Sequence, residues 1–185
     1  MKRFLIAILS IFVVTNVYAS KDKGVYVGGG ITIINVGIQD PFSKDVNFKA
    51  GEIILGYKYN SYLGIEVRGG GSLSDERIAL TNTTRSRDSA ESDIENYASV
   101  YYRAELSNEI AKLYLLLGQS TISTRVRFED GTTPAFEASE SGWSYGAGFG
   151  LWLDERMNLN FEVKTLVDTE NDSFTSVGIN ADYRF

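Results

Sequence analysis

The chain contains neither histidine nor cysteine. Without histidine there is no nucleophile–histidine pair of the hydrolase type, because a hydroxyl needs an adjacent base to attack. Without either residue the usual zinc ligand sets are gone, and disulfides play no part in stability. Proline is scarce at 2 residues while glycine reaches 18, which suits strands rather than a proline-rich linker. Long apolar runs are missing beyond the first segment. After residue 20 the longest is Leu113 to Leu117, far short of the roughly 20 residues of a spanning helix. Cationic charge is in deficit, with 18 Lys and Arg against 24 Asp and Glu and a net charge of -6. An acidic chain has no basic patch to neutralise phosphates, so no nucleic-acid partner is expected.

The first residues carry a different pattern. Lys2 and Arg3 make a positive start, Phe4 to Val14 is a short apolar run, and Val17-Tyr18-Ala19 ends on a small residue. These are the three parts of a secretory signal peptide. The expected organisation is a signal peptide over 1–19 and one barrel domain over 20–185. Removing Lys2 and Arg3 takes the net charge from -6 to -8.

What the rest of the chain has is alternation. In a strand, successive side chains point to opposite faces. From Phe174 to Phe185 the residues Thr175, Val177, Ile179, Ala181, Tyr183 and Phe185 fall on one side. Ser176, Gly178, Asn180, Asp182 and Arg184 fall on the other. Seven further stretches read the same way, at about 24–36, 48–59, 63–73, 94–106, 111–121, 142–153 and 158–167. In the fourth, Ile94, Ala98 and Val100 are assigned outward and Glu95, Tyr97 and Arg103 inward. In the seventh, Val167 joins Leu159, Phe161 and Val163 outward. The fifth is apolar on both faces around Leu113 to Leu117, so a short helix over Glu109 to Leu117 competes with a strand. The connectors alternate long (near 37–47, 74–93 and 122–141) and short (near 60–62, 107–110 and 154–157), with 168–173 last. Outer-membrane barrels have short periplasmic turns and longer external loops. The fold class expected is all-β, an eight-stranded antiparallel up-and-down transmembrane β-barrel with both termini in the periplasm. A soluble periplasmic barrel binding an apolar ligand is the inverse alternative, with the faces exchanged.

Val25-Tyr26-Val27-Gly28-Gly29-Gly30, the segment Trp143 to Gly150 (WSYGAGFG) and the closing Ala181-Asp182-Tyr183-Arg184-Phe185 carry a family resemblance. Over the whole of 24–185 the chain resembles the small outer-membrane β-barrels of the OmpX-like and OmpA-barrel-like kind. The resemblance implies a cell outer membrane location in a Gram-negative envelope. It also implies that Ile179, Tyr183 and Phe185 stand where the barrel-assembly machinery reads the final strand. Roles in the family include adhesion, serum resistance and phage reception. Lipid, lipopolysaccharide and a host surface or phage are thus the implied partners.

The polar face supplies the candidate site. It carries six acids, Glu52, Glu66, Glu95, Glu105, Glu162 and Asp182, against five bases, Lys58, Arg68, Arg103, Lys164 and Arg184. An eight-stranded interior is just wide enough for side chains to fill, and buried charges need partners. A plugged lumen of interlocking ion pairs is therefore expected, and a small-solute or ion channel is the second reading. Glu95 and Glu105 are read as lumen charges rather than as an acid–base pair, and no enzyme is expected. No cofactor is called. Gly28-Gly29-Gly30 has no following helix pattern and no Lys-Ser/Thr, so it is not a phosphate loop. Arg77, Arg85 and Arg87, in the polar stretch from Ser74 to Asp93, would face lipopolysaccharide phosphates or simply belong to a solvated loop. Asp168, Glu170 and Asp172 lack the glycine-bearing loop of a calcium site.

Overall fold

The computed structural model of the protein describes residues 23–38, 46–73, 76–79, 89–128, 136–168 and 172–185. The expected signal peptide at 1–19 lies outside the described residues. Every regular element described is a strand: β1 (Gly24–Ile38), β2 (Val46–Lys58), β3 (Leu63–Ser72), β4 (Glu76–Ala79), β5 (Ser89–Ser107), β6 (Ala111–Phe128), β7 (Phe136–Trp152), β8 (Met157–Asp168) and β9 (Asp172–Arg184). All pairings are antiparallel. β1 joins β9 from Tyr26↔Arg184 to Ile38↔Asp172 and so closes the sheet. β3 pairs directly with β5, and the short β4 merely extends the wall along Ser89–Ser92. The architecture is a closed, eight-stranded, up-and-down barrel.

The two faces of the wall are inverted relative to a soluble protein. Ile53 is 74% exposed while its neighbour Glu52 is 6% exposed. Ile31, Val67, Leu113, Leu115, Val163 and Val177 also point outward. An exposed apolar band of this extent is a lipid-facing surface, flanked by the aromatic girdle of Tyr57, Tyr59, Tyr62 and Tyr102 near one rim. The soluble alternative requires the opposite arrangement and is set aside. The helical alternative at 109–117 also fails. β6 is an unbroken strand, with Lys112, Tyr114 and Leu116 inward and Leu113, Leu115 and Leu117 outward.

The three short turns share one device. Asn60 Oδ1 accepts the N–H groups of Tyr62 and Leu63, and Asn108 Oδ1 accepts those of Ile110 and Ala111. Asp154 Oδ1 accepts those of Arg156 and Met157, both at 2.7 Å. Each side chain thus takes the place of a backbone acceptor and fixes the reversal in two to three residues.

Inside, tyrosines lie over glycines. Tyr26↔Gly56, Tyr97↔Gly70, Tyr101↔Gly118 and Tyr114↔Gly148 are all cross-strand pairs. A Cβ at Gly56, Gly70 or Gly148 would meet the ring of the tyrosine opposite. β7 goes further, since its inner face reads Ser144, Gly146, Gly148, Gly150, and larger neighbours from β6 and β8 occupy the space beside it.

Two bulges break the simple alternation. In β5 the register steps from Ile94↔Thr124 to Asn96↔Ser123. Glu95 has no opposite residue, and the extra position reverses the parity beyond it. Ile94, expected outward, is buried, and Glu95, expected in the lumen, stands outside. In β8 the register steps from Thr165↔Thr175 to Val167↔Phe174, so Leu166 and Val167 are both buried and Val167 leaves the outer face.

Two long connectors are also shorter than expected. β6 continues to Phe128 and β7 begins at Phe136, so most of 122–141 is strand. β4 and the start of β5 likewise occupy part of 74–93. β5 has 19 residues, well beyond the roughly 9–11 that cross a bilayer. These hairpins therefore project past the lipid band.

Candidate functional site

The site is the barrel interior, and it is layered. At the end bearing the long connections, Ile34, Phe48, Ala50, Ile94, Tyr97, Ile122, Leu166, Val167 and Phe174 form one buried cluster. Both bulges contribute to it, because they turn Ile94 and Val167 inward. Beneath it lie the charges.

Arg68 on β3 is the centre of the charged layer. Its guanidinium contacts Glu66 at 2.5 Å, Glu162 at 2.6 Å and Glu52 at 2.9 Å. It also makes a second bond to Glu162 at 3.0 Å, so that pair is bidentate. Lys164 on β8 bridges Glu52 at 2.6 Å and Glu162 at 3.0 Å. Three of the glycine-backed tyrosines complete the shell. Tyr26 donates to Glu66, Tyr97 to Glu52 and Tyr114 to Glu162. Each of these glutamates accepts from at least three groups, which is the condition under which desolvated charge is tolerable.

Arg103 on β5 links this layer to the next. It contacts Glu66 at 2.5 Å and Glu105 at 2.9 Å, and it lies over the Tyr114 ring at 3.7 Å. Glu105 also receives Lys58 at 2.8 Å and Arg184 at 3.1 Å. Asp182 receives Lys112 at 3.2 Å, with Asn158 and Asn160 donating to it at 2.5 Å and 2.9 Å. Arg184 stacks over Trp152 at 4.6 Å. Ion pairs thus run without interruption from Lys164 through Glu52, Arg68, Glu66, Arg103, Glu105 and Arg184 to Asp182 and Lys112.

Ten of the eleven charges assigned to the lumen lie inside: Glu52, Lys58, Glu66, Arg68, Arg103, Glu105, Glu162, Lys164, Asp182 and Arg184. Glu95 does not. It faces outward and pairs with Arg125 at 2.7 Å, which also holds Glu137 at 2.6 Å. Lys112 was missed; it is buried in the lumen. Its signal was its two-residue spacing from Tyr114, hidden by the leucines between and beyond. With Glu95 out and Lys112 in, the buried charges among the described residues are five acids and six bases, reversing the expected excess. The apolar layer was missed as well.

The other singled-out residues are dispersed. Ile179 points outward from β9, and Tyr183 and Phe185 pack edge-to-face at 5.2 Å on the same stripe. Arg156 donates to the Tyr183 hydroxyl at 3.1 Å. Arg77 lies on β4, and Arg85 and Arg87 lie outside the described residues. Asp168 and Asp172 end β8 and begin β9, with Glu170 outside the described residues. Among the described residues no cluster of three potential metal ligands occurs.

A closed antiparallel barrel, apolar outside and charged within, with short turns at one rim and projecting hairpins at the other, is an outer-membrane barrel. The chain belongs to the outer membrane protein beta-barrel domain family, whose model matches residues 4–185, and its place is the Gram-negative outer membrane. Solved structures agree on the fold. Ail, the attachment invasion locus protein of Yersinia pestis, in complex with the heparin analogue sucrose octasulfate, has 16% identity and a TM-score of 0.65. That match covers 89% of this chain and 99% of Ail. OprG of Pseudomonas aeruginosa has 11% identity and a TM-score of 0.62, covering 89% of this chain and 97% of that one. Neisserial surface protein A has 13% identity and a TM-score of 0.60, covering 91% and 99%. No curated protein matches by sequence.

Proposed function

We propose that this barrel is a surface-interaction protein of the outer membrane whose lumen is plugged. Its working parts are the projecting hairpins and their connections. The observation that carries the proposal is the unbroken ion-pair chain from Lys164 to Lys112 beneath the apolar cluster around Ile94 and Val167. Opening a path would separate buried charges from the partners that make their desolvation tolerable. A non-enzymatic role accords with the lack of histidine and cysteine. Adhesion, serum resistance and phage reception are the roles considered. The likeness to Ail, solved with a heparin analogue, supports a host-surface partner. Further parts of the proposal are a signal peptide over 1–19 and a barrel domain over 20–185. In the same proposal Ile179, Tyr183 and Phe185 serve recognition by the barrel-assembly machinery, and lipopolysaccharide phosphates meet Arg77, Arg85 and Arg87.

Liposome swelling tests the lumen. Vesicles containing the folded protein are expected to exclude arabinose-sized sugars as well as protein-free vesicles do. Rapid sugar entry would favour the small-solute channel instead.

A further inference from the structure

One polar side chain stands on the lipid-facing wall without a partner. Gln119 on β6 is exposed on the outer face, between its cross-strand neighbours Val100 on β5 and Trp143 on β7. Leu117 lies next below it on the same face, and Leu117, Val100 and Trp143 are all more than half exposed. The next outward pair above, Thr121 and Ser141, is satisfied within itself, hydroxyl to hydroxyl at 2.8 Å. No group among the described residues hydrogen-bonds to the Gln119 amide. In hydrocarbon an unpaired amide is costly, because a lipid chain offers it neither donor nor acceptor.

Heights around the wall follow from the register. Following paired residues once around from Lys58 on β2 leads back to β2 at Phe48, ten residues nearer the outer rim. Each step between neighbouring strands therefore climbs about 1.25 residues. From Ala98 on β5 the pairs lead up to Thr121 on β6 and Ser141 on β7, and Trp143 lies two residues back down β7. Ala98 and Trp143 are thus level to within about half a residue, with Gln119 between them less than about one residue lower. By the same count Ile33 on β1 stands higher than Gln119 and is still 49% exposed, so Gln119 lies within the apolar band. The wall is not flat here. Ala98 floors a cleft of about 570 Å³ bounded by Val67, Val100, Gln119, Thr121 and Trp143. An added Cβ on Gly69, the partner of Ala98 on β3, would have its nearest neighbour at 3.8 Å, so the wall stays low on that side as well.

A cleft and a protruding ring at one height, on either side of an unpaired amide, make a self-complementary surface. We infer that two copies of this barrel associate within the membrane through β5, β6 and β7, about a two-fold axis parallel to the bilayer normal that passes beside Gln119. The axis exchanges the Ala98 and Trp143 sides, so the Trp143 ring of each copy enters the cleft over Ala98 of the other. On the axis the two Gln119 amides face each other, and the NH₂ of each donates to the carbonyl of the other. A lipid chain fills the cleft equally well but leaves that amide unpaired. The contact strip is three strands wide, about 14 Å, and as tall as the apolar band, about 25 Å. That is roughly 350 Å² per copy against about 800 Å² for a stable interface, so the dimer is reversible and responds to dilution in lipid. Arg125 stands higher on β6, beyond the lipid, and already holds Glu95 and Glu137, so it brings no bare cation to the axis. The pairing sets two projecting β6–β7 hairpins side by side, and it does not rest on the closed lumen.

The test uses the full folded barrel in phospholipid vesicles. The chain has no cysteine of its own, so Glu109→Cys, on the exposed turn between β5 and β6, takes one donor or acceptor dye per copy. Energy transfer between mixed labelled barrels is expected to exceed that of randomly placed proteins and to fall as lipid is added. On this background Ala98→Trp fills the cleft and should weaken association about tenfold, and Gln119→Leu should weaken it about threefold. Both side chains face lipid, so each variant should keep the heat-dependent gel shift of a folded barrel. In the otherwise unaltered chain, Gln119→Cys on the axis is expected to form disulfide-linked dimers under oxidant. Ile31→Cys, on the opposite wall at β1, is expected not to. Transfer no greater than random, transfer unchanged by both substitutions, or equal linking through Ile31→Cys would overturn the inference. So would quenching of Trp143 by brominated lipid chains with no transfer between barrels, which would assign the cleft to a lipid chain.

Discussion

Replacing Arg68 by Met isolates what the charged layer contributes. Methionine keeps much of the side-chain length and removes the guanidinium. Five contacts between 2.5 and 3.0 Å to Glu52, Glu66 and Glu162 are lost together. None of the three carboxylates is left alone. Glu52 and Glu162 keep Lys164 and a tyrosine hydroxyl each, and Glu66 keeps Arg103 and Tyr26. Three buried negative charges must nonetheless share two cations, and one of these, Arg103, also serves Glu105. Breaking a buried ion pair by removing one partner costs about 3–5 kcal/mol, and that is the loss expected here. Urea unfolding of the protein in lipid vesicles reads it through Trp143 on the outer face and Trp152 in the lumen. Adding Glu162→Gln to Arg68→Met should recover about 1–3 kcal/mol, because it removes one of the stranded charges. Glu95→Gln supplies the contrast: its exposed pair with Arg125 should be worth less than about 1 kcal/mol. If Arg68→Met lies within about 0.5 kcal/mol of the parent, or Glu95→Gln costs as much as Arg68→Met, the account of the lumen is wrong.

Gly148→Ala places a methyl group against the Tyr114 ring and should cost about 1–3 kcal/mol in the same assay. At Gly69 the nearest atom to an added Cβ is the Tyr97 carbonyl oxygen at 3.8 Å, so Gly69→Ala should stay within about 0.5 kcal/mol. The turn at Asp154 lies outside the spanning segments and should depend on pH. The backbone N–H groups of Arg156 and Met157 hold its carboxyl below the ordinary aspartate value. A depressed folded value means stability that is present above the unfolded value, about 3.9, and lost as pH falls through the folded one. The advantage of the parent over Asp154→Asn should therefore be seen at neutral pH and fade in acid. An advantage that grows in acid would reverse the assigned cause.

The lipid-facing and lumen-facing sets were legible wherever one residue type alternated with another. Leu159, Phe161 and Val163 against Asn160, Glu162 and Lys164 in β8 is the plainest case. The period of two specifies the face of every residue once one is known. For the same reason one inserted residue is invisible and reverses everything beyond it. Glu95 and Val167 were misplaced because the bulges at Ile94/Asn96 and Thr165/Val167 have no marker of their own in sequence. Lys112 was hidden for a different reason. Leu116 is an apolar residue inside the barrel, so Leu113 to Leu117 shows no contrast between faces, and a lone lysine before it gives no phase. The projecting hairpins were read as loops because the outer face of a strand standing in water is polar, as Thr121, Ser123, Ser139 and Ser141 are, and no lipid-facing stripe marks it. The tyrosine–glycine pairs could not be seen either. They are cross-strand relations, and they exist only once the register is fixed.

The bare inner wall of β7 makes the barrel lopsided as a piece of engineering. Volume beside Gly146, Gly148 and Gly150 is occupied from both neighbours, by Lys112 and Tyr114 of β6 and by Asn160 and Lys164 of β8. Bore width along that side is therefore set by side chains on the two flanking strands. Trimming them would widen the passage with every strand pairing untouched, whereas enlarging β7 would force them out. The three strands accordingly form one unit of substitution, in which growth on β7 is tolerated only with shrinkage on β6 or β8. A scaffold of this kind offers a sized pore by editing the two strands that flank the bare one.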